Sequence, residues 1–338
     1  MNPAPDTTAQ LPPAAKALGD GLLAVSASSG LPLLQQQAEE FVRAAKASST
    51  LRAYRSDWAH FTRWCEQHSL CPLPASAETV ALYLTALAAT HRPATLTRRL
   101  TALTKAHQIA GQPSPATMQQ PAVSETLKGI RRTLGTAQQR KAPLLTADVR
   151  QMVAALPDTL AGRRDRAILL LGFAGGFRRS ELAALDVGDV LPTADGVIIK
   201  LRRSKTDPEG KGRDVGIPYG STLSTCPVRA LAVWQNAANL AEGGLFRGID
   251  RHGHVDSIRL HKDSVGRIVK RTAAAAGLDA RQYAGHSLRA GLATQAYLNG
   301  AGELAIMRQT GHRSLEMVRR YIRDGSLFRE NPAAKLGL

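Results

Sequence analysis

The helical periodicity that fills the first part of the chain stops at Gly135-Thr136-Ala137-Gln138-Gln139-Arg140-Lys141-Ala142-Pro143, and a different pattern follows. Upstream of this polar, proline-ended stretch, apolar residues recur at spacings of three and four, which is the face of an amphipathic helix. A short helix fits residues 35–48. Ser48 is placed to cap a second, whose face is Leu51, Tyr54, Trp58, Phe61 and Cys65. Ser76 starts a third, with Val80, Tyr83, Leu84 and Leu87 on one side. Pro93 opens a fourth, with Leu96, Leu100, Leu103 and His107 inside, and Val123, Leu127, Ile130 and Leu134 make a fifth. Five helices with short connections read as a compact all-α domain over residues 35–135. Residues 136–143 are then a linker to a second domain at 144–338, and residues 1–34, rich in Pro, Ala, Ser and Gly, read as a disordered tail.

The second domain mixes periods. Thr146 is placed to cap its first helix, and Arg166–Ala174 is an apolar helix that Gly175-Gly176 ends. Helical spacing resumes from Ser180 to Leu185. Val197, Ile199 and Leu201 alternate with Ile198, Lys200 and Arg202, the period of a strand. Asp207-Pro208-Glu209-Gly210-Lys211-Gly212 is turn chemistry, Val215–Pro218 is the returning strand, and the rest reads as mainly helical to Tyr321. The fold class expected is mainly α with a small β-sheet: all-α in the first domain, α+β in the second.

A chain of 338 residues is long enough for two cores. It carries 44 Lys and Arg against 27 Asp and Glu, a net charge of +17. Most of these cations are arginines, whose planar fork matches phosphate oxygens. The excess runs along the whole chain, so a polyanion is the expected partner, with nucleic acid the commonest. Three cysteines, Cys65, Cys71 and Cys226, fit neither a disulfide framework nor a metal spacing. No apolar run approaches the roughly 20 residues that span a bilayer. Met1–Gln10 has no cationic start of a signal peptide, so a cytoplasmic protein without membrane contact is expected.

The residues able to carry chemistry lie in the second domain. Arg178 stands in Gly175-Gly176-Phe177-Arg178-Arg179-Ser180-Glu181-Leu182, where glycines let the backbone approach a ligand; a solvated arginine after a glycine-stopped helix fits equally well. Glu181, three residues on, is placed to orient Arg178 or a histidine, and an ordinary first-turn carboxylate fits equally well. Lys205 lies at the hairpin tip, where a lysine is ordinarily a solvated charge. His286 and Arg289, at i and i+3, share one face of a helix that Ser287 helps to cap. His312 follows Gly311, nine residues before Tyr321, and Arg319, Arg320 and Arg323 around Tyr321 argue against a dry core. His252-Gly253-His254 lacks the companions a metal site needs. In the first domain Arg52, Arg55, Arg98, Arg99 and Lys105 fall on polar helix faces that could enter a major groove or simply be solvated. Arg131, Arg132, Arg140 and Lys141 make the linker region basic, so that it could run over a phosphate backbone or simply be solvated.

Taken together and in order, Arg178, Lys205, His286-x-x-Arg289, Gly311-His312 and Tyr321 resemble the tyrosine recombinase (phage integrase) family. The motifs cover about 145 residues, and the two-domain layout over 35–338 is similar to the Cre-like branch, although His312 stands where Cre-type enzymes have tryptophan. The resemblance implies a SAM-like helical core-binding domain and a catalytic domain that clamp double-stranded DNA. It implies a 3′-phosphotyrosine on Tyr321, formed while Arg178, Arg289 and His312 hold the scissile phosphate. By the same likeness His286 moves the proton, Lys205 protonates the leaving 5′ oxygen and Glu181 supports Arg178. Neither metal nor nucleotide is needed. A homotetramer on two duplexes, each with a short inverted-repeat site, is implied as well. Leu327, Phe328, Ala333, Ala334 and Leu336 are available for its apolar contact. A type IB topoisomerase-like relaxer and a non-cutting DNA-binding regulator of the same fold are the alternatives.

Overall fold

The structure, a computed structural model, describes residues 47–137, 140–205, 207, 209–326, 333 and 336. The chain divides into two compact units, residues 1–138 and 139–338, and the division falls inside the expected linker. The expected tail and nearly all of the short helix at 35–48 lie outside the described residues.

In the first unit four helices are described: α1 (Ser48–Gln67), α2 (Ala77–Ala88), α3 (Pro93–Ile109) and α4 (Pro121–Leu134). Ser76 caps α2, its Oγ accepting from the Thr79 backbone N–H at 3.1 Å. Prolines open α3 and α4, where a missing N–H costs nothing. Ser48 does not cap α1. It is the first helical residue, because the extended backbone falls one position earlier, at Ala47. Trp58, Phe61 and Cys65 of α1 pack with Tyr83 and Leu84 of α2, Leu96 and Leu103 of α3, and Leu127 of α4. His107 is fully buried, its Nε2 accepting from Ala75 N–H at 3.0 Å while Nδ1 lies 3.0 Å from the Leu103 carbonyl.

Arg99 corrects the sequence reading. It is buried: its Nη1 donates to the Tyr83 hydroxyl at 2.6 Å, and its Nε faces Asp57 at 3.7 Å. Leu96, Arg99, Leu100 and Leu103 have the i, i+3, i+4, i+7 spacing of the inward stripe, so this guanidinium belongs to the core and not to a groove-reading face. Arg52, Arg55 and Arg132 are exposed. Arg98 pairs with Asp57, Lys105 donates to Gln108 Oε1 at 2.7 Å, and Arg131 donates to Thr97 Oγ1 at 3.2 Å.

The second unit opens with α5 (Thr146–Ala154), α6 (Leu160–Ala174) and α7 (Arg179–Ala184). Strands β1 (Val190–Thr193), β2 (Gly196–Leu201) and β3 (Arg213–Pro218) form an antiparallel sheet in that order. There follow α8 (Pro227–Ala237), β4 (Arg247–Ile249) paired with β5 (Val255–Arg259), then α9 (Lys262–Ala275), α10 (Ser287–Leu298), α11 (Glu303–Thr310) and α12 (Leu315–Ser326). Thr146 is helical rather than a cap; Asp148 Oδ2 does that work by accepting from Leu145 N–H at 2.8 Å. Val197, Ile199 and Leu201 point inward with Val215 and Ile217 onto Phe177, Trp234 and Phe246. The mixed second domain is thus as expected, while β1 fills a stretch that had no element assigned and the β4–β5 hairpin is an addition to the helices read after Pro218. Among the described residues no helix is long and apolar enough to cross a membrane.

Candidate active site

Three glycine-marked junctions in the second unit converge. Helix α6 ends at Gly175, and Gly176 follows with φ 58°, a left-handed turn that aims Arg178 to the head of α7. There Glu181, almost fully buried, accepts from Arg178 twice: from Nη1 at 2.5 Å and from the backbone N–H at 2.9 Å. One carboxylate therefore fixes both the side chain and the main chain of Arg178.

The second junction is the start of α10. His286 occupies the N-cap position, and Ser287 works backward, its Oγ accepting from Ala284 N–H at 3.0 Å, rather than capping the helix as expected. One turn on, Arg289 is 1% exposed, yet its Nη1 donates to the carbonyls of Gly176 at 2.7 Å and Thr310 at 2.5 Å. Its Nη2 is buried without a partner. A buried guanidinium nitrogen left open is costly unless an anion meets it. Burial first, then Arg178, lowers the Arg289 pKa to about 10.

At the third junction, Gly311 ends α11 in the left-handed conformation with φ 64°, and His312 follows. His312 is buried, with Nδ1 2.7 Å from Thr310 Oγ1, and its ring stacks on that of Tyr321, centroids 5.1 Å apart. Burial, then Arg289, Arg178, His286 and Arg213, lowers its pKa to about 3. Tyr321, on α12, places its hydroxyl 2.8 Å from His286 Nε2. The backbone carbonyl of Tyr321 accepts from Thr294 Oγ1 at 2.9 Å, which ties α12 to α10. Desolvation, and then the charges of Arg289, Arg178, Arg179 and Lys205, hold His286 below the ordinary imidazole value. A neutral imidazole beside a phenol is set to take its proton.

Arg178, Glu181, His286, Arg289, His312 and Tyr321 are therefore brought together. Lys205 lies exposed in the β2–β3 connection, near enough for its charge to act on His286. Arg140 and Lys141 instead donate to backbone carbonyls of Arg320, at 2.8 Å, and Arg281. Arg52, Arg55, Arg98, Arg99, Lys105, Arg131 and Arg132 belong to the other unit. His254 Nδ1 pairs with Asp250 at 3.1 Å, and among the described residues no three His, Cys, Asp or Glu side chains gather as a metal-binding group.

Two residues escaped the sequence reading. Arg213 donates to the carbonyls of Gln309 at 3.0 Å and Thr310 at 3.4 Å, and its Nε is buried without a partner. A Cβ on Gly311 would stand 2.7 Å from that Nε, so the glycine makes room for it. The signal was present: Arg213 shares the inward face of β3 with Val215 and Ile217. Thr310 is fully buried, and nothing in its spacing announces a polar task.

Comparison with known proteins shows the family and the fold. The phage integrase family matches residues 143–326. An integrase/recombinase xerD homolog of Selenomonas ruminantium is 41% identical over 303 residues, spanning 88% of each chain. Tyrosine recombinase XerC of Myxococcus xanthus is 27% identical over 80% of this chain and 86% of its own. Among solved structures, XerH site-specific recombinase bound to difH shares the fold with a TM-score of 0.58 at 18% identity, over 77% of this chain and 72% of that one. The Tn1549 transposon integrase does so with a TM-score of 0.58 at 17% identity, over 90% and 99%. The sequence likeness runs to recombinases of the Xer type, and not to the Cre-like branch that the layout resembled. This chain belongs to the phage integrase family and is a tyrosine recombinase of the XerC/XerD type.

Proposed function

We propose that this recombinase cuts and rejoins double-stranded DNA at a defined site through a 3′-phosphotyrosine on Tyr321. The observation that carries the reading is the Tyr321 hydroxyl, 2.8 Å from His286 Nε2, next to a buried Arg289 whose Nη2 has no partner. Tyr321 Oη attacks phosphorus and its proton passes to His286. The bond to the 5′ oxygen breaks, and Lys205 supplies the proton that oxygen needs. Arg178, Arg289 and His312 hold the non-bridging oxygens as charge builds on them. Rejoining is the same sequence reversed, with the phosphotyrosine conserving the bond energy, so neither a metal nor a nucleotide takes part.

DNA as the partner is supported by the net charge of +17 and by fold neighbours solved on DNA, XerH on difH and lambda integrase on a COC′ core site. Arg52, Arg55, Arg98, Lys105, Arg131, Arg132, Arg140 and Lys141 are the cations we assign to the duplex; buried Arg99 is withdrawn. The substrate places the reaction in the cytoplasm, on the nucleoid. Four copies on two duplexes with short inverted repeats are the proposed assembly. Its contact segment, residues 327–338, lies outside the described residues except Ala333 and Leu336.

The test is covalent trapping on nicked duplexes from the DNA that flanks the gene, with Tyr321→Phe as control. An SDS-resistant adduct that leaves a free 5′ hydroxyl and vanishes in Tyr321→Phe supports the reading. Binding without any adduct points to a non-cutting regulator, and an adduct that persists in Tyr321→Phe moves the nucleophile elsewhere. Removing residues 326–338 should leave duplex binding intact and abolish the tetramer in sedimentation; unchanged assembly removes that segment from the proposal.

A further inference from the structure

We propose that Thr310 is a positioning residue of this reaction: its hydroxyl holds Nδ1 of His312 and directs the opposite nitrogen, Nε2, to the scissile phosphate. The proposal rests on the recombinase reading above. Its geometry stands on Thr310 itself, which is fully buried at the end of α11. Thr310 Oγ1 lies 2.7 Å from His312 Nδ1 and 2.7 Å from the Ile306 carbonyl one turn earlier. Its methyl faces Gly176, where an added Cβ would come within 3.1 Å of Cγ2, so the side chain has little room to turn. Its own carbonyl accepts from Arg289 Nη1 at 2.5 Å and from Arg213 Nη2 at 3.4 Å. One threonine therefore touches the buried arginine through its main chain and the histidine through its side chain.

A hydroxyl has one proton, and here the Ile306 carbonyl and His312 Nδ1 compete for it, each at 2.7 Å, with the Met307 carbonyl farther off at 3.4 Å. If the proton goes to the Ile306 carbonyl, Oγ1 accepts from Nδ1–H, and a neutral His312 presents a bare Nε2. If it turns to Nδ1, the imidazole proton sits on Nε2, which becomes a donor. Only the second arrangement serves an anionic phosphate oxygen. Passing from the first to the second takes a rotation of the hydroxyl and transfer of one imidazole proton from Nδ1 to Nε2 through solvent. No heavy atom has to move, and the number of bound protons is unchanged. The partner of one ring nitrogen decides the state of the other.

The test compares Thr310→Val, which keeps the shape and loses the hydroxyl, with Thr310→Ser, which restores it. The full chain labelled with 15N-histidine is observed by two-bond 1H–15N correlation, His312 being assigned by loss of its signals in His312→Asn. Wild type and Thr310→Ser are expected to show His312 in one tautomer, and Thr310→Val an averaged pair of nitrogen shifts. Single-turnover adduct formation on the nicked duplex should fall about 10-fold or more in Thr310→Val, by analogy with the loss of a group that orients a metal-bound histidine. Serine should recover most of that loss, and duplex affinity should be alike in all three. His312 shifts unchanged in Thr310→Val overturn the proposal. So does a rate loss in Thr310→Val that serine leaves unrepaired, which would mean that only packing matters. Should wild type form no Tyr321-dependent adduct, the recombinase reading and Thr310's part in it fall together. The nitrogen shifts would still decide the Thr310–His312 coupling by themselves.

Discussion

Arg289 commits Nη1 to two carbonyls of its own chain and leaves Nη2 buried and open. Lysine has a single ammonium and can serve the carbonyls or an anion, not both places at once. Arg289→Lys is therefore expected to slow adduct formation by about 10²-fold, as loss of one preorganised donor does, while duplex binding holds; equal rates would show that Nη2 does not meet the phosphate. His312 bears on stability as well as rate. Its folded pKa is about 3, against about 6.5 for an unfolded histidine. The unfolded chain thus takes a proton that the folded site refuses. Its share of stability is whole above that unfolded value and drains away as pH falls toward 3. His312→Gln should accordingly lose less stability than wild type between pH 7 and pH 4, by on the order of 3 kcal/mol in urea titrations. Parallel acid limbs would contradict this. Arg178, Glu181, His286, Arg289 and His312 were legible because each is polar within a turn of a helix end, and Tyr321, in the middle of α12, because arginines flank it. Arg99 misled because a cation was taken to mean solvent, whereas Tyr83 and Asp57 let it lie inside.

At the scale of elements, α10 is the frame on which the site hangs, and it presses unusually close to the segment before α5. Leu144 N–H donates to the Ser287 carbonyl at 3.0 Å, and a Cβ on Gly291 would sit 1.9 Å from the Leu144 carbonyl oxygen. That oxygen is backbone and cannot yield without moving the chain. Gly291→Ala is expected to cost about 1–3 kcal/mol by overpacking, read as a lower denaturation midpoint; a stability gain from higher helix propensity would mean that the segment shifts freely. The core helices and the β2–β3 pair were legible because a face buried against one neighbour leaves a clean period. The β4–β5 hairpin was not. In Val255-Asp256-Ser257-Ile258-Arg259 the apolar residues stand three apart, and Ile258 is 69% exposed, so no alternation marks the strand. The beginning of α6 was hidden in another way. Arg164 and Asp165 pair inside the protein at 2.8 Å, with Arg271 joining them, and read in sequence as a polar stretch outside the helix.

For the whole molecule, each unit has its own apolar centre, Phe61, Tyr83 and Leu103 in one and Ile168, Phe177 and Trp234 in the other. Residues 1–138 and 139–338 produced separately should each melt in one cooperative transition by calorimetry; a featureless trace from either would show that its core is incomplete. The tie from Thr294 to the carbonyl of Tyr321 has a consequence for how copies of the chain divide their labour. It fastens α12 to the helix that carries Arg289, so on the proposed reading each copy would bring its own Tyr321 to its own arginines, in cis. Chains with Tyr321→Phe mixed with chains carrying Arg289→Lys should then fail to restore adducts on the nicked duplex, since neither holds a complete set. Recovery in the mixture would mean that tyrosines cross between copies. On the proposed assembly, and without such crossing, a defective copy would silence only the strand it sits on, and its neighbours would go on cutting theirs.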